Sequence, residues 1–192
     1  MKTPKSPKIP ILNLAIIGDS NSGKTSLLNK YLQKTVEIPI PTIAPECSIL
    51  DIVIKHKNII NCKVKLWDIS GQERFDSLAL NVIKNVQGIM LVYDISNRKS
   101  YIKLKQWMKR ISYYHNIKRF PIAIVGNKID LEEKRKRIDE DFIQIIDISH
   151  TIKYYETSTF TGKSINEVFS FLIILIRIIT IFIIYVKIAF YI

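Results

Sequence analysis

Apolar and polar positions alternate along this chain with a period that switches between two and 3.6 residues, the signature of strands interleaved with helices. Ile11 to Ile17 is an apolar run suited to a buried strand, and Lys24 to Gln33 follows with Leu27, Leu28, Tyr31 and Leu32 at helical spacing. Ser48 to Lys55 alternates around Ile49, Leu50, Ile52 and Ile54. Asn61 to Trp67 sets Cys62, Val64 and Leu66 against Asn61, Lys63 and Lys65. The turn residues His56, Lys57 and Asn58 between these two strands predict an antiparallel hairpin. A short helix is expected over Asn81 to Gln87, and a strand covered on both faces over Gly88 to Tyr93. Lys99 to Tyr114 reads as a helix with Leu104, Trp107, Met108 and Ile111 on one side. Pro121 to Val125 is a further buried strand, Asp139 to Ile148 a helix, Tyr154 to Thr157 a final strand and Ser164 to Ile176 the last helix. Prolines mark the gaps: Pro4, Pro7 and Pro10 in a lysine-bearing arm, and Pro39, Pro41 and Pro45 in a loop after the first helix.

Strands alternating with helices imply an α/β fold: a mostly parallel six-stranded sheet with one antiparallel edge strand and helices on both faces. Ligands of such sheets bind beyond the carboxyl ends of the strands. A length of 192 residues with 47% hydrophobic content suits one globular domain and excludes wholesale disorder. The expected division is a flexible basic arm over 1–10, the domain over 11–176 and an apolar tail over 177–192. From Phe171 to Ile192 only Arg177 and Lys187 are charged, and those 22 residues are long enough to cross a bilayer. Phe171 to Ile176 are nevertheless expected to face the core. The tail therefore reads as buried, interfacial or disordered, as a tail anchor, or as a non-native end.

The net charge of +12, from 29 basic and 17 acidic residues, favours polyanions or an acidic membrane surface. No nucleic-acid motif accompanies it, and the run Lys134 to Arg137 reads as a solvated loop, so no nucleic-acid partner is expected. Cys47 and Cys62 have neither metal-ligand nor disulfide-framework spacing, which makes a reducing compartment the expectation.

The chemistry concentrates in four short stretches. Gly18-Asp19-Ser20-Asn21-Ser22-Gly23-Lys24-Thr25 reads G-x-x-x-x-G-K-T between strand and helix, the context of a phosphate-binding loop. Backbone N–H groups and the helix N-terminus would converge on an anion there. Lys24 would supply a cation for the β- and γ-phosphates and Thr25 a hydroxyl for Mg²⁺. Trp67-Asp68-Ile69-Ser70-Gly71-Gln72-Glu73 places a carboxylate at a strand end, where it can hold Mg²⁺ directly or through water. Gly71 lets its N–H approach a terminal phosphate, and Gln72 can orient an attacking water. Asn127-Lys128-Ile129-Asp130 follows the fifth apolar run. A carboxylate there accepts two hydrogen bonds from the N1–H and N2–H₂ edge of guanine, a pair that adenine lacks. In Glu156-Thr157-Ser158-Thr159, backbone N–H groups could meet the guanine carbonyl.

With these motifs in this order, the chain resembles a Ras-superfamily small GTPase, and within it most closely the Rab family. G-D-S-N-S-G-K-T-S, W-D-I-S-G-Q-E-R-F, Leu91 to Ile95 followed by Asn97, N-K-I-D and E-T-S-T carry the resemblance over about Ile11 to Ile176. The resemblance implies a P-loop NTPase G domain that binds GTP or GDP with Mg²⁺, hydrolyses GTP slowly and acts as a switch in vesicle trafficking. It implies that Gly18 to Ser26 wrap the phosphates and that Thr25, Thr42 and Asp68 serve the metal. Gly71 would sense the γ-phosphate. Asn127, Lys128 and Asp130 would hold the base, with Ser158 and Thr159 helping. An exchange factor, a GTPase-activating protein and effectors are the implied partners, at the cytosolic face of intracellular membranes. Membrane association is expected, though not by C-terminal prenylation, since no cysteine follows Cys62.

Several positions depart from the family pattern. Ser22 replaces a usual Val, Val36 an aromatic that covers the guanine, Ala44 a Gly, Ile69 and Ser70 a Thr and an Ala, and Phe160 a Lys. Of the Rab aromatic triad only Trp67 remains, with Cys47 and Val82 at the other two positions. These departures motivate a second reading, a degenerate GTPase-fold scaffold that holds nucleotide weakly and does not cycle. A third, an ATP-using P-loop enzyme, leaves Asp130 without a role.

Overall fold

The computed structural model describes residues 9–34, 45–55, 59–71, 76–134 and 149–189. The arm over 1–8, Val36, Thr42, Ala44, the turn 56–58, Gln72 and the helix expected over Asp139 to Ile148 lie outside them. Six strands form one sheet: β1 (Ile11–Gly18), β2 (Glu46–Lys55), β3 (Ile59–Asp68), β4 (Gly88–Asp94), β5 (Ile122–Asn127) and β6 (Ile152–Thr157). Their spatial order is β2-β3-β1-β4-β5-β6. The β2–β3 pair is antiparallel, with Lys55 opposite Ile59, and the other four pairings are parallel. The antiparallel pairing of these two strands and the single antiparallel edge strand expected from the sequence are therefore present.

Alternation along each strand sends neighbouring side chains to opposite faces. On β1, Leu12, Leu14 and Ile16 pack beneath α1 (Lys24–Tyr31) and α4 (Ile165–Ala189). Ala15 and Ile17 pack against α2 (Asp76–Ile83) and α3 (Arg98–Ser112). Both faces are covered, which is why β4 and β5 are apolar almost throughout and buried along their whole length. Asn97 caps α3 by accepting from the Lys99 amide at 3.0 Å.

Two helices differ from expectation. The helix expected over Asn81 to Gln87 is α2, over Asp76–Ile83. Ala79 and Ile83, one turn apart, face the core, and Val86 is buried although the helix has already ended. That extra buried residue mimics one more helical turn. The last helix does not stop at Ile176 but runs to Ala189, because neither Gly nor Pro interrupts it. Its first half is core: Val168, Phe169, Leu172, Ile173 and Ile176 are buried, and Phe169 stacks on Tyr31 at 3.9 Å between centroids. Beyond Arg177 the helix leaves the domain with Ile178, Ile181, Phe182 and Ile183 exposed. Ile165–Ile183 is long and apolar enough to cross a membrane by length and composition, and a third of that stretch is buried inside the protein.

Candidate functional site

The sheet register brings the polar motifs to one edge. Asp68 at the end of β3 lies opposite Ile16, Val92 opposite Gly18, Asn127 opposite Asp94 and Thr157 opposite Asn127. Parallel strands that end level with one another deliver their following loops to the same place.

The phosphate loop turns between β1 and α1. Gly23 sits at φ +92, a left-handed conformation costly for other residues, and a Cβ on it would lie 2.2 Å from Asn127 Nδ2. Asn21 is also left-handed, at φ +60. No side chain caps α1 and no acidic residue sits in its first turn. The donors and positive dipole of that helix end therefore point into the loop. Lys24, only 6% exposed, donates from Nζ to the Asp19 carbonyl at 2.7 Å. Burial pushes its ammonium down to about 8 from the usual 10.5, although Asp68 and Asp19 pull the other way. Asp19 Oδ1 is held by Lys103 Nζ and by the Ser20 amide, each at 2.8 Å.

Asp68 is buried and accepts from Thr25 Oγ1 through Oδ2 at 2.5 Å, across 43 residues of sequence. Gly71, three residues on, lies against the phosphate loop: a Cβ there would fall 2.4 Å from the Ser20 amide nitrogen. Any side chain at that position would wedge the two loops apart.

At the other end, Asn127 is fully buried and makes two bridging bonds. It donates from Nδ2 to the Ser22 carbonyl at 2.9 Å and accepts from Thr157 Oγ1 at 3.0 Å. Its side chain thus braces the phosphate loop against β5 and β6. Lys128, left-handed at φ +67, pairs with Asp94 Oδ2 at 2.7 Å. The Asp94 carboxyl is pushed up by burial, but the Lys128 ammonium and the Ser96 hydroxyl and amide outweigh that and hold it below the ordinary range. Asp130 is exposed, and its Oδ1 accepts from the buried Ser158 hydroxyl at 2.5 Å. Thr159 follows Ser158, half-buried.

Of the residues singled out from the sequence, Gly18 to Ser26, Asp68, Gly71, Asn127, Lys128, Asp130, Ser158 and Thr159 gather at this edge. Thr42 and Gln72 lie outside the described residues. Sequence reasoning missed Lys103, which no local pattern marks, and, inside motifs it did single out, the bond of Thr157 to Asn127 and the ion pair of Asp94 with Lys128.

This arrangement fits a nucleoside polyphosphate with Mg²⁺. An uncapped helix end and a desolvated ammonium are matched to phosphate, and a hydroxyl beside a carboxylate is matched to a hard cation that keeps most of its waters. Among the described residues no group of three or more His, Cys, Asp and Glu could hold a metal alone.

A second surface lies on the β3–α2 side. Cys47 is the cross-strand neighbour of Trp67, and Trp67 shares a cavity of about 280 Å³ with Val82, Asn81 and Asn85. The three triad positions thus assemble into one surface.

The model of the Ras family matches residues 13–178. Ras-related protein Rab-13 of Canis lupus familiaris is 34% identical over 163 residues, covering 83% of this chain and 77% of that protein. Rab-8B of Homo sapiens is 34% identical over 160 residues, 83% and 75% of the two chains. RABE1e of Arabidopsis thaliana is 32% identical over 160 residues, 83% and 72%. A loop built for phosphates, a hydroxyl–carboxylate pair suited to Mg²⁺ and this breadth of similarity agree: the chain belongs to the Ras family and is a Rab-like small GTPase.

Proposed function

We propose that this protein is a guanine-nucleotide switch that binds GTP or GDP with Mg²⁺ and hydrolyses GTP slowly. The observation that carries the reading is the 2.5 Å contact between Thr25 Oγ1 and Asp68 Oδ2 beside the buried Lys24. Two hard oxygens from distant segments meet there next to a desolvated cation. In this reading Lys24 and the loop amides hold the β- and γ-phosphates, Thr25, Thr42 and Asp68 serve the metal, and Gly71 offers its N–H to the terminal phosphate. Gln72 orients the attacking water. The bound Mg²⁺ would neutralise charge on the phosphate oxygens. Asp130 reads the guanine edge, with Ser158 and Thr159 beside it. Gly18 to Ser26 contain no arginine, so rapid hydrolysis falls to an activating protein.

We place this switch in vesicle trafficking, at the cytosolic face of intracellular membranes, with an exchange factor and effectors as its other partners. The Trp67, Cys47 and Val82 surface is the effector contact in this reading. The outer half of α4, where Ile178, Ile181, Phe182 and Ile183 are exposed, supports a membrane contact by its length and apolar composition.

Natively purified protein, once denatured, should release GDP or GTP into the supernatant in stoichiometric amount. Gln72→Leu should keep that nucleotide and lose hydrolysis, by roughly the hundredfold that positioning a reactant can supply. Protein that comes away empty and prefers neither GTP nor GDP over ATP would remove the switch. A Gln72→Leu chain that hydrolyses at the parent rate in single turnover would remove Gln72 from the mechanism.

A further inference from the structure

Phe160 is 84% exposed, more than any other large apolar side chain among the described residues. Nothing in the packing of the domain asks for a ring there. Its position is nevertheless well fixed. Ser158 Oγ accepts from the Thr161 amide at 3.1 Å, and the Ser158 carbonyl accepts from the Gly162 amide at 2.8 Å. Phe160 therefore stands at the crown of a turn closed on both sides by Ser158. The same Ser158 hydroxyl donates to Asp130 at 2.5 Å. The exposed ring and the carboxylate that reads the base edge are thus two arms of one hydrogen-bonded unit. With consecutive Cα atoms about 3.8 Å apart, the ring arises within about 8 Å of the Ser158 backbone.

A purine held edge-on by a carboxylate presents its flat faces to either side, and those faces are the part of the ligand that a carboxylate cannot grip. An aromatic ring on the adjoining turn is the complementary group, because base–aromatic stacking needs only two π-faces and no hydrogen-bond pattern. We propose that Phe160 stacks on the face of the purine whose edge is read by Asp130, and so sets how long the nucleotide stays bound. This rests on the guanine-nucleotide reading above. It adds a contact that depends on ring area and not on base identity: Asp130 selects guanine, and Phe160 retains whatever purine is seated.

The test uses the full chain loaded with GDP. Phe160→Ala should speed GDP dissociation about 5- to 150-fold, the range that loss of one stacked base contact gives. The melting temperature of the nucleotide-free chain should not move, since the side chain is exposed. Phe160→Tyr should restore slow release. In Phe160→Trp, a change in the fluorescence of the introduced indole should follow GDP binding and recur with IDP, which keeps the purine face but lacks the N2 amine. Dissociation from Phe160→Ala at the wild-type rate, or an introduced indole whose emission is indifferent to nucleotide, would overturn the stacking role while leaving the switch intact. A wild-type chain that binds no purine nucleotide would overturn both.

Discussion

Lys24 and Asp94 are both buried ions at the same edge of the sheet, yet they are shifted by opposite winners. At Lys24 burial prevails over the neighbouring carboxylates and the ammonium is pushed down to about 8. At Asp94 the partners prevail over burial and the carboxyl is held low. At the proposed phosphate end the ammonium is thus incompletely compensated for the water it has lost, while at the proposed base end the carboxylate is compensated by its own neighbours. A site that must grip a polyanion gains from the first arrangement, because an incoming phosphate replaces the solvation that burial has taken from the ammonium. A site that must discriminate between neutral bases gains from the second, because its groups should not move when the ligand arrives.

The sharpest way to break the comparison is Lys24→Met. Two charge-assisted hydrogen bonds to phosphate, at about 1.5–3 kcal/mol each, would vanish, so nucleotide affinity should fall about 10²- to 10⁴-fold by calorimetry. The same change should stabilise the nucleotide-free protein. A lysine lowered from 10.5 to about 8 costs the fold about 3 kcal/mol at neutral pH. The sign follows from proton counting. Between pH 8 and 10.5 the unfolded chain carries the extra proton, so nucleotide-free wild-type protein gains stability as pH rises through that window. Lys24→Met should lack that gain. Urea titrations at pH 7 and above pH 10 check it, and unchanged nucleotide affinity would refute the phosphate role of Lys24.

Asp130→Ala probes the other end with a smaller effect. The carboxylate is exposed, but it accepts from the buried Ser158 hydroxyl, so the nucleotide-free fold should lose about 1–3 kcal/mol. The preference for GDP over ADP should drop about a hundredfold, the worth of a pair of hydrogen bonds to a charged group partly screened by water. Competition binding measures it. Loss of both nucleotides together would mean that Asp130 supports the loop rather than reads the base.

Contiguity decides how much of this was legible in the sequence. Gly18 to Thr25 are neighbours in the chain, so their geometry is written in one octapeptide. Asp68 and Gly71 follow a cleanly alternating strand, which places them at the sheet edge. Lys103 lies 84 residues from the Asp19 that it holds, and no periodicity on α3 distinguishes it from Lys105 or Lys109. Asn127 was legible as a site residue, but not that its amide is spent on the Ser22 carbonyl, because that bond spans 105 residues. The same limit shaped the helix ends. Val86 is buried by tertiary packing after α2 has ended, and no Gly or Pro follows Ile176 within α4, so neither helix carried a signal of its boundary.

The smallest expected effect is the most discriminating, since it separates a balanced base end from one that merely lacks strain. Asp94 Oδ2 meets Lys128 at 2.7 Å, while Oδ1 accepts from the Ser96 amide at 2.9 Å and from its hydroxyl at 2.7 Å. Asparagine in its place keeps an acceptor for Ser96 and loses the charge facing Lys128. The Lys128 side chain is 29% exposed and can turn to water, so the cost should be about 1 kcal/mol at neutral pH and GDP release should quicken only a few-fold. The pH dependence carries the argument. A carboxyl held low in the folded state contributes stability that is fully present above its usual 3.8 and is lost as pH falls through the lower folded value. Wild type and Asp94→Asn should therefore differ by a constant amount from pH 7 down to about 5, and converge as acid protonates Asp94 below the usual carboxylate range. A gap that widened in acid would mean that burial, not Lys128, governs Asp94, and the contrast with Lys24 would disappear.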